Sequence, residues 1–188
     1  MIGAVVLAAG RGERIGGPKA TLSVDASGRT FAAAILATLR AAGVEAVRVV
    51  VAPGQRLEGA GLVENPDPAR GMLSSVQCGL RALPPGAEAV LVWPVDHPLV
   101  RTETVIAMIE RFRSGRAPLI VPSHRGRRGH PALFAAETIP ELFTARPEEG
   151  ARAVVHAHAD RVELEVDDPG VVTDIDTPED HARAMGLL

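Results

Sequence analysis

Several things are scarce in this chain, and each scarcity excludes something. One cysteine among 188 residues, Cys78, leaves no internal disulfide and no CxxC pair, which argues against an oxidised scaffold and a cysteine-built zinc site. Tyrosine is absent and aromatics make up 3% of the residues, too few for a nucleic-acid stacking platform. The formal charge of -3 gives no broadly basic surface, and arginine clusters only locally at Arg125, Arg127 and Arg128. No apolar run approaches the roughly 18 residues that a membrane span needs, and Met1 leads into a strand-like run with no basic leader. The expectation is a cytoplasmic protein with neither nucleic acid nor membrane as a partner. Lysine is scarcer still: Lys19 is the only one in the chain.

What is present begins with Val5 to Lys19, VVLAAGRGERIGGPK. The apolar run from Ile2 to Ala9 reads as a buried strand that breaks into a loop carrying Gly10, Gly12, Gly16 and Gly17. Glycine lets backbone approach a ligand closely, so successive amides can converge on an anion, here among Arg11, Arg14 and Lys19. Phosphate is the natural guest, although a glycine-rich turn with solvated arginines is the plainer alternative. Two familiar phosphate motifs do not fit. A dinucleotide fingerprint needs glycine where Ile15 stands, and a Walker A frame from Gly12 meets Pro18 after Gly17 and Ala20 where a hydroxyl residue belongs. Retention of a lone lysine suits phosphate, because a compact ammonium acts as a point charge.

The remainder alternates between strand and helix patterns. Thr30 to Ala42, with Phe31, Ile35 and Leu39 on one face, reads as a helix stopped by Gly43, and Val47 to Ala52 as a second buried strand. A short strand at Leu62 to Glu64 leads through Asn65-Pro66-Asp67-Pro68 to a helix from Leu73 to Leu83. Ala89 to Trp93 is a strand stopping at Pro94-Val95-Asp96-His97-Pro98, followed by a helix from Thr102 to Arg113 and a strand from Leu119 to Val121. Ser123 to Pro131 reads as a polar loop, Glu137 to Phe143 and Ala151 to His158 as short helices, and Val162 to Val166 as a strand. Thr177 resembles an N-cap, with Pro178 opening a final helix. This alternation predicts one domain: an α/β, doubly wound, mostly parallel sheet, with ligands outside the carboxyl ends of its strands.

In such a sheet the glycine loop and Asp96 open on the same rim, which suits a metal bridging a triphosphate to a carboxylate. Magnesium takes oxygen ligands and commonly binds one or two carboxylates plus substrate phosphates, so Asp96 with Asp174 or Asp176 suffices. Turn and capping aspartates are the alternative for all three. His130, in Gly129-His130-Pro131, is a candidate for substrate contact or for turn packing, and His97 for positioning its neighbours. His156 and His158 lie on different sides of a helix and read as surface residues, while Cys78 reads as a buried structural thiol.

Four blocks in order give the chain a family resemblance: LAAGRGERIGGPK from Leu7, NPDPARGMLSSVQCGL from Asn65, PVDHP from Pro94, and GRRGHPALF with the later DIDTPEDH. Glu149-Gly150-Ala151-Arg152 lies between the last two segments. The chain resembles the MobA-like nucleotidyltransferase family, and within it the molybdenum cofactor cytidylyltransferase branch. That resemblance implies a Rossmann-like nucleotidyltransferase fold over residues 1–188, with the nucleotide side in about 1–100 and the acceptor side in about 101–188. It implies CTP, a molybdopterin-type acceptor and Mg2+, with delivery of the product to a molybdenum hydroxylase.

By the same resemblance, Leu7, Ala8, Ala9, Gly10, Arg11, Gly12 and Lys19 hold the nucleotide, together with Asn65, Gly71, Ser74 and Ser75. Arg14, Lys19 and Asp96 are the implied catalytic groups, and Asp96, Asp174 and Asp176 the implied metal ligands. His97, Gly129, His130 and Pro131 face the acceptor. In this family LAAG at the loop entrance accompanies cytidine and LAGG guanosine, so Ala9 implies CTP. The chain departs from the family pattern at Ile15, where methionine is common, and at Glu149, where aspartate is common.

Overall fold

The opening apolar run forms β1 (Ile2–Leu7), buried along its whole length. A computed structural model describes residues 1–44, 46–57, 61–115, 117–147 and 149–186. After β1 come α1 (Phe31–Ala41), β2 (Ala46–Val51), β3 (Leu62–Glu64), α2 (Met72–Ala82), β4 (Ala89–Pro94) and α3 (Thr102–Gly115). The second half adds β5 (Leu119–His124), β6 (Arg127–Arg128), β7 (Ala132–Ala135), α4 (Ile139–Thr144), α5 (Gly150–Ala157), β8 (Val162–Glu165) and α6 (Pro178–Gly186).

β1 sits centrally, parallel to β2 on one side and β4 on the other, with β3 parallel outside β2. β7 runs antiparallel between β4 and β5, so β5 is again parallel to β4, and β8 pairs parallel with β5. The sheet is the expected doubly wound, mostly parallel one, because strands buried on both faces must alternate their side chains between two cores. Ala4 and Val6 enter one core with Phe31 and Ile35 of α1 and Met108 of α3. Val5 and Leu7 enter the other with Val76 of α2, Leu142 of α4 and Val154 of α5. At Gly79 a Cβ would meet Val5 Cγ1 at 2.3 Å, so glycine is what lets α2 lie close on β1.

Capping follows the sequence signals. Thr30 Oγ1 accepts from the Ala33 amide at 3.2 Å, and Thr177 and Asp180 cap each other ahead of α6, the Asp180 amide donating to Thr177 Oγ1 at 3.1 Å.

One expectation is overturned. Ser123 to Pro131 is not a loop throughout: β5 runs on to His124, turns at Arg125 and Gly126 with φ of 51° and 74°, and returns as β6. Two successive positive φ values are what a two-residue hairpin of the right twist requires. The strand after it, β7, was not expected at all. Its four buried residues, ALFA, are too few to show a period, yet they insert antiparallel between β4 and β5 in the interior of the sheet. Among the described residues, no helix is long and apolar enough to cross a membrane.

Candidate active site

Register places the first two groups. Leu7 and Pro94 are partners in adjacent parallel strands, so the glycine loop leaves β1 beside the Val95-Asp96-His97 turn that leaves β4. The Val95 amide donates to Leu7 O at 3.1 Å and ties the two exits together. The loop is shaped at Gly12, whose φ is 61° and whose carbonyl accepts from the Ile15 amide at 3.0 Å and the Gly17 amide at 3.1 Å. Among the described residues, the amides of Gly10, Arg11 and Gly12 donate to no protein acceptor. They are thus free for an anion, as a phosphate cradle needs. Ala20 is fully buried and anchors the short 3₁₀ turn that starts at Lys19.

Gly12→Ala tests this loop directly. A Cβ there would lie 1.8 Å from the Gly17 carbonyl oxygen, and backbone cannot swing aside as a side-chain tip can. The expected result is a loss of roughly 1–3 kcal/mol of stability from the strained positive φ, together with about a 10²-fold fall in activity from the displaced loop. Thermal unfolding and turnover check the two parts separately.

Lys19 is where distant segments meet. Its ammonium contacts Asp96 Oδ2 at 3.4 Å and is also bonded to Asp176 Oδ1. Arg14 Nη2 contacts Asp176 Oδ2 at 2.6 Å, and His97 Nδ1 contacts Asp96 Oδ1 at 2.9 Å. The Ile175 amide, donating to Asp96 O at 2.9 Å, brings the late segment against the β4 exit. Burial opposes ionisation of Asp96, but the bond and charge of His97, then Lys19 and His130, outweigh it and hold the carboxyl down at about 2.

His97 also stacks edge-on against His130, with ring centroids 4.7 Å apart. His130 Nδ1 is buried without a partner among the described residues. Burial, reinforced by His97 and Arg152 and opposed by Asp96, lowers its pKa from 6.5 to about 4. The ring is therefore neutral at neutral pH. Because the folded value is depressed, the unfolded chain binds the proton more tightly. The stability this neutral ring contributes is present above pH 6.5 and is lost as pH falls through about 4. A histidine NMR titration of the metal-free protein should find one ring titrating near 4; an ordinary midpoint for His130 would contradict its burial.

Two cavities open at this rim. The first, about 210 Å³, is lined by Leu7, Ala9, Gly10, Gly12, Lys19 and Asp96 on one side and by Gly71 and Ser75 on the other. The second, about 570 Å³, has an apolar floor that includes Val76, Val92 and Phe134 and a polar rim of Arg128, His130, Arg152 and His156. Met72, 58% exposed, and Pro94 line both, so the cavities share a wall.

Not every expected residue reaches a cavity. Ala8 is buried and packs into the α1 core, and Arg11 is exposed beside Glu13. Asn65 and Ser74 are buried and hold the β3–α2 connection: Asn65 Nδ2 donates to Ser74 Oγ at 2.8 Å and Ser75 Oγ at 3.0 Å, and Ser74 Oγ donates to Gly71 O at 2.8 Å. Asp174 is exposed and outside the Lys19 cluster, leaving Asp176 as the late carboxylate. Gly129 and His130 line the second cavity, with Pro131 buried next to them. His156, expected on the surface, is exposed but lines that cavity, and His158 is held by Glu141 of α4 at 3.1 Å. Cys78 is half-buried against the second core. Phe134 of the second cavity was signalled in the sequence only by its place in the GRRGHPALF block, and Arg128 by that block and by the local arginine cluster.

The carboxylates fit a divalent cation of the magnesium type, which takes oxygen ligands and completes its shell with phosphates and water. Among the described residues, no group of three or more His, Cys, Asp or Glu could hold a metal ion, so a cation on Asp96 and Asp176 would complete its shell with water and substrate oxygens.

A glycine cradle leaving β1, a carboxylate leaving the adjacent β4 and a second carboxylate from the segment before α6 are the arrangement of a nucleotidyltransferase, and comparison with known proteins agrees. The profile of the MobA-like NTP transferase domain matches residues 4–162, and the chain belongs to that family. The chain is 35% identical over 163 residues to the 2-C-methyl-D-erythritol 4-phosphate cytidylyltransferase of Streptomyces avermitilis, covering 77% of this chain and 63% of that one. It is 28% identical over 123 residues to the molybdenum cofactor cytidylyltransferase of Escherichia coli, covering 65% and 61%. The chain spans about three fifths of the length of these curated relatives. Among solved structures, Rv0371c of Mycobacterium tuberculosis is similar over 98% of this chain and 97% of its own, with a TM-score of 0.84 and 28% identity. A second structure of Rv0371c, a complex with manganese, gives a TM-score of 0.79 at 25% identity, covering 100% and 99%.

Proposed function

We propose that the protein transfers CMP from CTP to the phosphate of a molybdopterin-type acceptor and releases pyrophosphate. The carrying observation is the pair of cavities with a common wall, one bordered by the glycine cradle and Lys19, the other apolar-floored with Arg128 and Arg152 on its polar rim. An oxygen of the acceptor phosphate attacks the α-phosphorus of CTP. As that bond forms, the bond to the β-phosphate bridging oxygen breaks and pyrophosphate leaves. The acceptor phosphate is already ionised at neutral pH, its second pKa being about 6, so no general base is needed.

Positioning and neutralisation are the main tasks. The amides of Gly10 to Gly12 supply fixed donors where negative charge concentrates, and Lys19 and Arg14 add positive charge there. A divalent cation held by Asp96 and Asp176 supplies further charge neutralisation when bound. Mg2+ is the expected ion, and a manganese complex is known for the similar Rv0371c.

Cytidine is supported by Ala9 at the loop entrance and by the names of both curated relatives. A bulky planar acceptor is supported by the floor of Val76, Val92 and Phe134, in a cavity within the roughly 300–1,000 Å³ range of small-molecule sites. The hydroxyls of a small polyol phosphate would lie on that floor unpaired, which is costly. The higher identity to the Streptomyces enzyme supports the second reading, methylerythritol phosphate as acceptor. Delivery of the cytidylylated cofactor to a molybdenum hydroxylase follows only from the first.

Pyrophosphate release from each of the four triphosphates, with molybdopterin or 2-C-methyl-D-erythritol 4-phosphate, decides. Release with CTP and molybdopterin is the expected outcome, and release with CTP and the polyol phosphate alone transfers the case to the second reading. Preference for GTP contradicts both. Tight pterin binding with no pyrophosphate marks a carrier instead.

A further inference from the structure

In the ligand-free protein all four carboxylate oxygens of the candidate metal site are engaged. Asp96 Oδ1 faces His97 Nδ1 at 2.9 Å and Asp96 Oδ2 faces Lys19 at 3.4 Å. Asp176 Oδ1 is bonded to Lys19, and Asp176 Oδ2 lies 2.6 Å from Arg14. Lys19 thus sits between the carboxylates that a cation would use. Its side chain is 15% exposed and theirs 25% and 21%, so water screens the cluster only partly. A dication cannot be added while that ammonium stays, because the two positive charges would share one pair of anions.

From this, and resting on the transfer reading above, we infer that Lys19 is the placeholder for the divalent cation: the polyphosphate tail must draw Lys19 off Asp96 and Asp176 before the cation can bind there. Lys19 then has two positions with one job in each. On the carboxylates it neutralises them in the resting protein; on the phosphates it neutralises the substrate. Arg14, 73% exposed, follows the same path at little cost, since exposed ion pairs contribute little. Cation and polyphosphate therefore bind with positive coupling, each favouring the other by the same factor. A consequence of opposite sign to the usual one follows. Removing Lys19 harms catalysis but strengthens metal binding to the substrate-free protein.

The chain carries its own probe, because Lys19 is the only lysine. In protein grown with isotope-labelled lysine, one side-chain NMR signal reports its position without any substitution. Inorganic tripolyphosphate with a chelator present is expected to move that signal, and Mg2+ alone is expected to leave it in place. A signal that Mg2+ alone displaces, or that tripolyphosphate leaves unmoved, overturns the inference.

In parallel, binding of Mn2+ without polyphosphate is followed by the EPR signal of the free ion. Lys19→Ala should bind Mn2+ about tenfold to 100-fold more tightly than the parent, a typical span for site coupling, and Lys19→Arg should behave as the parent. Equal affinity in parent and Lys19→Ala overturns the inference. If Lys19→Ala fails to fold, the labelled-lysine measurement on the parent decides alone. Tripolyphosphate carries no base or acceptor, so a protein that passes these tests but transfers no nucleotide loses the transfer reading and keeps the exchange.

Discussion

Asp96→Asn is expected to lower turnover by about 10³-fold or more, equivalent to roughly 4 kcal/mol of transition-state stabilisation. Asp96 combines several positions in one residue: it ends the turn leaving β4, borders the first cavity, and faces both Lys19 and His97. Asparagine keeps the volume and the backbone bond from the Ile175 amide, so the fold should survive. What it removes is the charge. A carboxylate held at about 2 by His97 and Lys19 is ionised at any working pH, and an amide cannot replace it as an anionic ligand. The signature is therefore a steep fall in kcat, a higher Mg2+ requirement and little change in thermal unfolding. Equal metal dependence in parent and variant would remove Asp96 from the ligand set.

Lys19→Ala is expected to reduce turnover by about 10² to 10³-fold, the range for losing one electrostatic donor to the transition state. The effect should fall on kcat more than on KM, because charge on the transferring group peaks in the transition state. Lys19→Arg should recover only part of it, because a planar guanidinium fork does not present phosphate with the concentrated charge of a compact ammonium. Unchanged pyrophosphate release in Lys19→Ala would count against the assigned role. The two substitutions should also differ in metal behaviour, with Asp96→Asn weakening cation binding and Lys19→Ala strengthening it in the absence of substrate. Opposite shifts from two residues 3.4 Å apart are hard to attribute to general damage.

Much of this architecture could be read from residue order, for physical reasons. The strand-to-loop break after β1 and the acidic stop after β4 are local, and the rule that parallel strands open ligand sites at their carboxyl ends brings them together without coordinates. The Lys19 contacts are another matter. They join residues 77 and 157 positions apart, and no local pattern encodes which of Asp174 and Asp176 arrives. That choice is made by the Ile175 amide on Asp96 O, a tertiary bond.

Polar residues near the loop were harder still. Asn65 and Ser74 look like ligand groups in sequence, yet their hydrogen bonds are spent on holding the connection into α2. The second cavity was the least legible part, since its floor and rim come from α2, β4, β5, β6, β7 and α5, and β7 itself is four residues long.

The most direct test is a crystal structure with CTP and Mn2+ bound together. The triphosphate should lie on the amides of Gly10 to Gly12, the cation on Asp96 and Asp176, and Lys19 should have moved from those carboxylates to phosphate. A triphosphate seated in the second cavity, or a cation held away from Asp96 with Lys19 still between the two aspartates, would contradict it.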